Sequence, residues 1–234
     1  MKTAYSLRTI ALTGGIGYLI IFFTGIFANF FVVEGLVVKE DAVTTFTNIQ
    51  EQLSLFRVGI LSFVGMVIAD LVLTWALYEF FKPTHAQLSL FAGWFRLVNC
   101  AVFGVAVFHL FDVLTLAGDA QYSALVSAEY AQAEVMRSFS NFNYTWLLGL
   151  VFFGVHLLAL GVLILWSGFV PKFIGYLLLL AGAGYLVDSF AQFALTNYED
   201  YQNIFALVVI VPGVVGELSL TVWLLVRGGV NADP

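Results

Sequence analysis

The amino-acid sequence predicts an all-α polytopic membrane protein, a bundle of six transmembrane helices with both termini in the cytoplasm. Three observations predict it. Hydrophobic residues make up 61% of the 234-residue chain and charged residues only 10%, against about a quarter charged in soluble domains, and the mean hydropathy is +0.97. Six windows, at about 9–33, 53–81, 88–117, 143–168, 173–196 and 203–226, each supply the roughly 20 apolar residues that cross a bilayer. The basic residues segregate: Lys2, Arg8, Lys82, Lys172 and Arg227 fall on one side of these spans, Lys39 and Arg137 on the other, and the positive-inside rule places the first group in the cytoplasm. Little chain remains for a soluble domain, so residues 1–234 read as a single transmembrane domain of the cell inner membrane. The outer segments hold most of the acids, which explains the net charge of −6. These loop acids read as solvated.

The first window follows Lys2 and Arg8 as a signal peptide would. Its apolar run is too long for one, and no small-x-small cleavage site follows, so it reads as a retained helix. Gly14, Gly15, Gly17 and Gly25 predict a close helix contact there. In the loop that follows, Thr47-x-x-Gln50 has the pattern of a capping box. The second helix is therefore expected to begin ahead of the membrane and run on through Arg57, whose stem would snorkel at the outer interface. The turn Lys82-Pro83-Thr84-His85 closes a hairpin, and the third helix runs outward through Arg96, Asn99, Cys100, His109 and Asp112. His109 and Asp112, three apart, share a face. The single cysteine, Cys100, excludes a disulfide within the chain and multi-cysteine metal sites, and reads as a small core residue.

Residues 119–138 read as a separate amphipathic segment whose apolar side is Tyr122, Leu125, Val126, Tyr130 and Val135. The fourth helix carries Gly154, His156 and Gly161. The turn from Ser167 to Lys172 is so short that the fourth and fifth helices must be antiparallel neighbours. The fifth helix carries Gly175, Gly182 and Gly184, then Tyr185, Asp188 and Ser189. The sixth contains Pro212-Gly213 and, one turn on, Glu217. A mid-span proline frees the carbonyl four residues earlier, so Pro212 and Gly213 are the expected hinge.

Two hairpins resemble each other. Ile16-Gly17-Tyr18-Leu19 and Asp70-Leu71-Val72-Leu73-Thr74 in the first correspond to Ile174-Gly175-Tyr176-Leu177 and Glu217-Leu218-Ser219-Leu220-Thr221 in the last. Transporters are often built from such repeats, with sites at the repeat interface.

On a common depth scale Asp70, Arg96, His156 and Glu217 fall within about two helical turns of one level, with Asp188 slightly outward. Insertion costs about 2.5–3.5 kcal/mol for each central charge, so three carboxylates and one arginine facing lipid would cost about 10 kcal/mol. They are expected to converge inside the bundle, with Arg96 as one cation shared among Asp70, Asp188 and Glu217, His156 alongside, and Asp70 kept as its first partner. One arginine against three acids leaves a deficit that protons, a cation or a small polar or cationic ligand must make up. Arg57 with Asp112 would form an outer pair, but Arg57 to Asp70 turns a helix by about 220° and Arg96 to Asp112 by about 160°, so both pairs cannot face squarely.

Other chemistry finds less footing. A metal site for an intramembrane hydrolase on His156, Asp188, Glu217 and Asp70 lacks HExxH or paired-histidine spacing. A haem between His109 and His156 conflicts with their depths. Gly14-Gly15-Ile16-Gly17 lacks the strand and lysine of a phosphate loop, and no nucleic-acid patch is present. The sequence identifies no cofactor and no catalytic residue.

The chain resembles an uncharacterised bacterial family of multi-pass membrane proteins, catalogued as domain of unknown function 4386. The resemblance rests on Leu55-Phe-Arg57-Val-Gly-Ile, Ala69-Asp70 through Tyr78-Glu79, Phe95-Arg96-Leu97, Phe152-Phe-Gly154-Val-His156, Pro171-Lys-Phe-Ile-Gly175 with Gly184-Tyr-Leu-Val-Asp188, and Gly216-Glu217 through Trp223. It implies a six-helix membrane protein and supplies no activity. Together these readings favour a small transporter or a ligand- or ion-binding membrane module. A structural or partner-binding subunit, in an oligomer or with other membrane proteins, is the alternative, and a metal-dependent hydrolase is third.

Overall fold

The computed structural model describes residues 5–230; Lys2, counted above for orientation, lies outside them. Among the described residues every regular element is helical, and six helices are long and apolar enough to cross a membrane. They are α1 (Leu7–Leu36), α3 (Leu53–Phe81), α4 (Ala86–Gly118), α6 (Ala128–Ser167), α7 (Lys172–Ala194) and α8 (Gln202–Val226). Short helices α2 (Ala42–Glu51) and α5 (Ala120–Ser123) lie between spans, a 3₁₀ turn at Tyr198–Asp200 precedes α8, and Phe27–Val33 of α1 is wound as a π-helix.

Two local readings are corrected. The cap is Asp41, not Thr47: its carboxylate accepts the Thr44 N–H at 2.9 Å, and that donor holds Asp41 below the usual carboxylate range. Thr47 lies inside α2, its hydroxyl spent on the Val43 carbonyl at 2.9 Å. Helix α2 ends at Glu51, so the span α3 starts separately at Leu53. Residues 128–138 are likewise not a separate segment but the first turns of α6. The buried stripe Ala131, Val135, Phe139 and Phe142 continues at helical spacing into the span, whereas Leu125 and Tyr130, read with Val135 as one apolar side, are 81% and 50% exposed.

The chain forms two compact units: Met1–Leu19, Ala69–Cys100 and Leu147–Pro234 make the first, Ile20–Ile68 and Ala101–Trp146 the second. In the second, Trp146 stacks flat on Phe103 with ring centroids 3.7 Å apart and meets Phe63 edge-on at 5.4 Å. Buried Ile49, Phe56, Leu110 and Val135 complete its core. Helices α1 and α3 touch so closely there that a Cβ on Gly59 would lie 2.6 Å from Val32.

In the first unit α6 and α7 pack through reciprocal glycines, as the short turn between them requires. A Cβ on Gly182 would lie 2.7 Å from the Gly154 carbonyl oxygen, and one on Gly161 2.9 Å from that of Gly175. Neither pair admits a side chain, so the two backbones meet directly. Gly17 of α1 likewise seats on Leu73 and Ala69 of α3. Arg8, at the start of α1, clamps the end of α8: Nη1 donates to the carbonyls of Leu224 and Gly228 at 3.1 and 2.9 Å, and Nη2 to Leu225 at 2.6 Å. One side chain thus satisfies two last-turn carbonyls, those of Leu224 and Leu225, and the Gly228 carbonyl just past the helix end.

Candidate functional site

All the central residues belong to the first unit. Asp70 stands on α3, Arg96, Asn99 and Cys100 on α4, Phe153 and His156 on α6, Tyr18 on α1, Tyr185 on α7 and Glu217 on α8. Positions 96, 99 and 100 share one helical face, so α4 offers three donors together. They converge on one carboxylate. Arg96 reaches Asp70 Oδ1 through Nε at 2.6 Å and Nη2 at 2.5 Å. Cys100 Sγ and Asn99 Nδ2 donate to Oδ2 at 3.2 and 3.5 Å.

The remaining side of Arg96 is spent on His156. Nη1 lies 3.0 Å from His156 Nε2, and His156 Nδ1 lies 2.9 Å from the Ala92 carbonyl oxygen. A guanidinium only donates and a carbonyl only accepts. The proton of the imidazole therefore sits on Nδ1, Nε2 accepts from Arg96, and His156 is neutral. The rings of Tyr18 and Phe153 flank the guanidinium at 5.3 and 5.4 Å, within cation–π range. The network is dry: Asp70 is 4% exposed, Arg96 and His156 each 1%. A gap of about 10 Å³ beside His156, lined by Thr74, Ser89 and Leu160, is at the lower limit for one water.

Glu217 is placed differently. Its carboxylate lies within electrostatic reach of Arg96 and Asp70, yet among the described residues no hydrogen bond or ion pair reaches it. Among the described residues two other buried polar atoms of this centre have no hydrogen-bond partner, the Tyr18 hydroxyl, within electrostatic reach of Glu217, and Asn99 Oδ1 beside Asp70. Tyr185 feels both Glu217 and Asp188, and its hydroxyl lies beside Gly213, one turn before Glu217 on the same face of α8. Pro212 has no N–H to give the Val208 carbonyl, and that oxygen faces Gly184 of α7, where a Cβ would approach it to 3.1 Å.

The other sequence candidates stay apart from this centre. Asp188 is held by its own hairpin, accepting from Tyr198 Oη at 2.5 Å and Gln192 Nε2 at 3.0 Å. Burial, and then the Asp188 carboxylate, push the Tyr198 hydroxyl above the usual phenol range. In the second unit Arg57 is exposed and unpaired among the described residues. Asp112 meets its neighbour His109 at 3.6 Å and lines a cleft of about 370 Å³ with Tyr130, Glu134 and Arg137. Among the described residues no three His, Cys, Asp or Glu side chains converge to hold a metal. Sequence reasoning missed Tyr18, Phe153 and the donor role of Cys100. The spacing of Cys100 from Arg96 signalled its role, whereas no spacing signalled Tyr18 or Phe153, which stand on other helices.

Residues 13–228 match the family model described as Domain of unknown function (DUF4386), and the chain belongs to that family. A relative from Archaeoglobus fulgidus, described as an uncharacterized protein, is 28% identical over 172 residues, 72% of this chain and 85% of the relative. No solved structure matches the chain.

Proposed function

We propose that this multi-pass membrane protein is an ion-binding module of the kind small transporters use, with the Glu217 carboxylate as its working group. One observation carries the reading: Asp70, Arg96 and His156 saturate one another, while Glu217, beside them, has no partner among the described residues. Asp70 and Arg96 cancel. A carboxylate left over within a membrane-spanning helix needs a proton or a cation to balance it. The unpaired Tyr18 hydroxyl and Asn99 carbonyl oxygen add neutral oxygens near the same centre. Pro212 and Gly213, one turn before Glu217, are the proposed hinge, and Tyr185 and Asp188 extend the polar side of α7 away from Glu217. We place the protein in the cytoplasmic membrane, with both termini inside, on the segregation of its basic residues.

The alternative, a structural or partner-binding subunit, is favoured by the dryness of the Asp70–Arg96–His156 network. A metal-dependent hydrolase draws no support, since both ring nitrogens of His156 are engaged. The test is reconstitution into liposomes under an imposed proton or sodium gradient, with uptake followed by an ion-sensitive dye in wild type and Glu217→Gln. Uptake by wild type that the variant loses supports the reading. Identical traces, with no proton or cation binding by calorimetry in either protein, leave the structural alternative standing.

A further inference from the structure

A second feature of the first unit does not include the Glu217 side chain and stands independently of it. The last turns of α8 and the first of α7 border an apolar groove of about 470 Å³, walled by Phe173, Ile174, Leu218, Val222 and Val226. Trp223 and Arg227 lie at its edge and also border a second hollow of about 680 Å³.

Ser219, Trp223 and Arg227 follow one another at intervals of four, which sets three hydrogen-bond donors in a row along one helix face. Among the described residues none of their side chains has a hydrogen bond or ion pair. The indole of Trp223 makes ring contacts with Phe80 and Phe169. Arg227 is exposed, and so is Lys172, which sits in sequence between two lining residues, Pro171 and Phe173. No acid occurs from Ser167 to Val187 or from Leu218 to Val230. The negative pole that a helix C-terminus would present here is neutralised by Arg8, which takes up the carbonyls of Leu224, Leu225 and Gly228. The groove therefore pairs an apolar wall with a surplus of positive charge and unused donors at one end.

We infer that this groove is a binding site for an anionic phospholipid, with the acyl chain along Leu218, Val222 and Val226 and the phosphate at Arg227 and the Trp223 indole N–H. A zwitterionic lipid fits the apolar wall equally well but gains less from the cations, so discrimination rests on headgroup charge. A basic residue near the membrane surface adds about 1 kcal/mol toward anionic lipid, which is about a fivefold change in affinity.

The test is native mass spectrometry of the full chain, released from detergent after titration with phosphatidylglycerol or phosphatidylcholine. Wild type is expected to retain phosphatidylglycerol preferentially. Arg227→Gln, a change at an exposed side chain, is expected to weaken that retention about fivefold and leave phosphatidylcholine unchanged. Val222→Trp, which fills the groove from an exposed position and keeps every charge, is expected to weaken it as well. Equal retention of the two lipids by wild type overturns the inference. So does an unaltered preference in Arg227→Gln, and so does loss in Arg227→Gln with full retention in Val222→Trp, which would mean diffuse surface charge rather than a groove. Thermal unfolding of both variants in lipid-free detergent is expected to match wild type, which separates lost binding from lost fold.

Discussion

Asp70-Leu-Val-Leu-Thr74 and Glu217-Leu-Ser-Leu-Thr221 carry the same order of residue types, and locally they behave alike. In each the threonine hydroxyl donates to the carbonyl of the carboxylate residue, at 2.8 Å from Thr74 and 2.6 Å from Thr221. Their side chains have opposite fates. Both oxygens of Asp70 are bonded by α4, whereas nothing described bonds the Glu217 carboxylate. The paired tyrosines diverge as well, Tyr18 being 4% exposed against the Arg96 guanidinium and Tyr176 62% exposed. A motif fixes its own backbone bonds, and the facing helix decides what its charge can do. Helix α4 brings an arginine, an amide and a thiol to Asp70. Helix α7 brings Leu177 and Leu178 to Gly216 and the Tyr185 ring to Gly213.

The sharpest way to break this contrast is Arg96→Leu. It strands the Asp70 carboxylate, deprives His156 Nε2 of its donor, and is expected to cost about 3–5 kcal/mol. Arg96→Leu with Asp70→Leu is expected to recover much of that loss, because no buried charge is left unpaired. Denaturant unfolding in detergent measures both. A double variant as unstable as the single would mean that the pair is not what holds the network.

Next in size is the far side of the same arginine. His156→Leu removes the acceptor of Arg96 Nη1 and the donor to the Ala92 carbonyl. Leaving two buried groups unsatisfied is expected to cost about 1–3 kcal/mol. The same change beside Glu217 has no counterpart, since no histidine lies on α7 or α8.

Glycines extend the contrast to packing. Gly182→Ala puts a Cβ 2.7 Å from the backbone oxygen of Gly154, so two helices must part, at a cost of about 1–3 kcal/mol. Gly213→Ala meets nothing nearer than 3.6 Å. It is expected to leave stability within about 1 kcal/mol of wild type. Thermal midpoints of the two variants that fell together would show that Gly213, too, is a site of close packing rather than of backbone freedom.

The bundle itself was legible because the bilayer imposes a length and an apolar composition on every span; α3 has the expected bounds 53–81. The pairing of Asp70 with Arg96 was legible from depth alone, since both are counted from one turn. The distinction between Asp70 and Glu217 was not. It depends on which face of α4 turns toward α3, and rotation about a helix axis leaves little mark where apolar residues surround the whole circumference. Asp188 looked like the third carboxylate of the cluster for the same reason. Its partner Tyr198 lies beyond the end of α7, and no depth count assigns a tyrosine in a turn to a carboxylate within the helix. The Asp41 cap was hidden by a competing pattern: Thr47-x-x-Gln50 satisfies the capping-box spacing, but Asp41 offers the stronger acceptor six residues earlier.

The smallest stability change is expected where the functional consequence is largest. Asp70→Asn keeps shape but removes the counter-charge from a buried guanidinium, so it belongs with Arg96→Leu in magnitude. Glu217→Gln also keeps shape, yet it breaks no hydrogen bond and no ion pair among the described residues. It replaces the carboxylate proposed to bind a proton or cation with a neutral amide. Stability is expected to stay within about 1 kcal/mol of wild type or to rise slightly, because the cost of an unbalanced charge is removed. Unfolding midpoints with and without added sodium, at two pH values, separate the cases. Wild type is expected to respond to at least one of these ions, since a bound ion stabilises the folded state by mass action, and Glu217→Gln to respond to neither. A loss in Glu217→Gln as large as that in Asp70→Asn would show that the two carboxylates are equivalent members of one structural network, and the contrast between the two hairpins would then be one of sequence only.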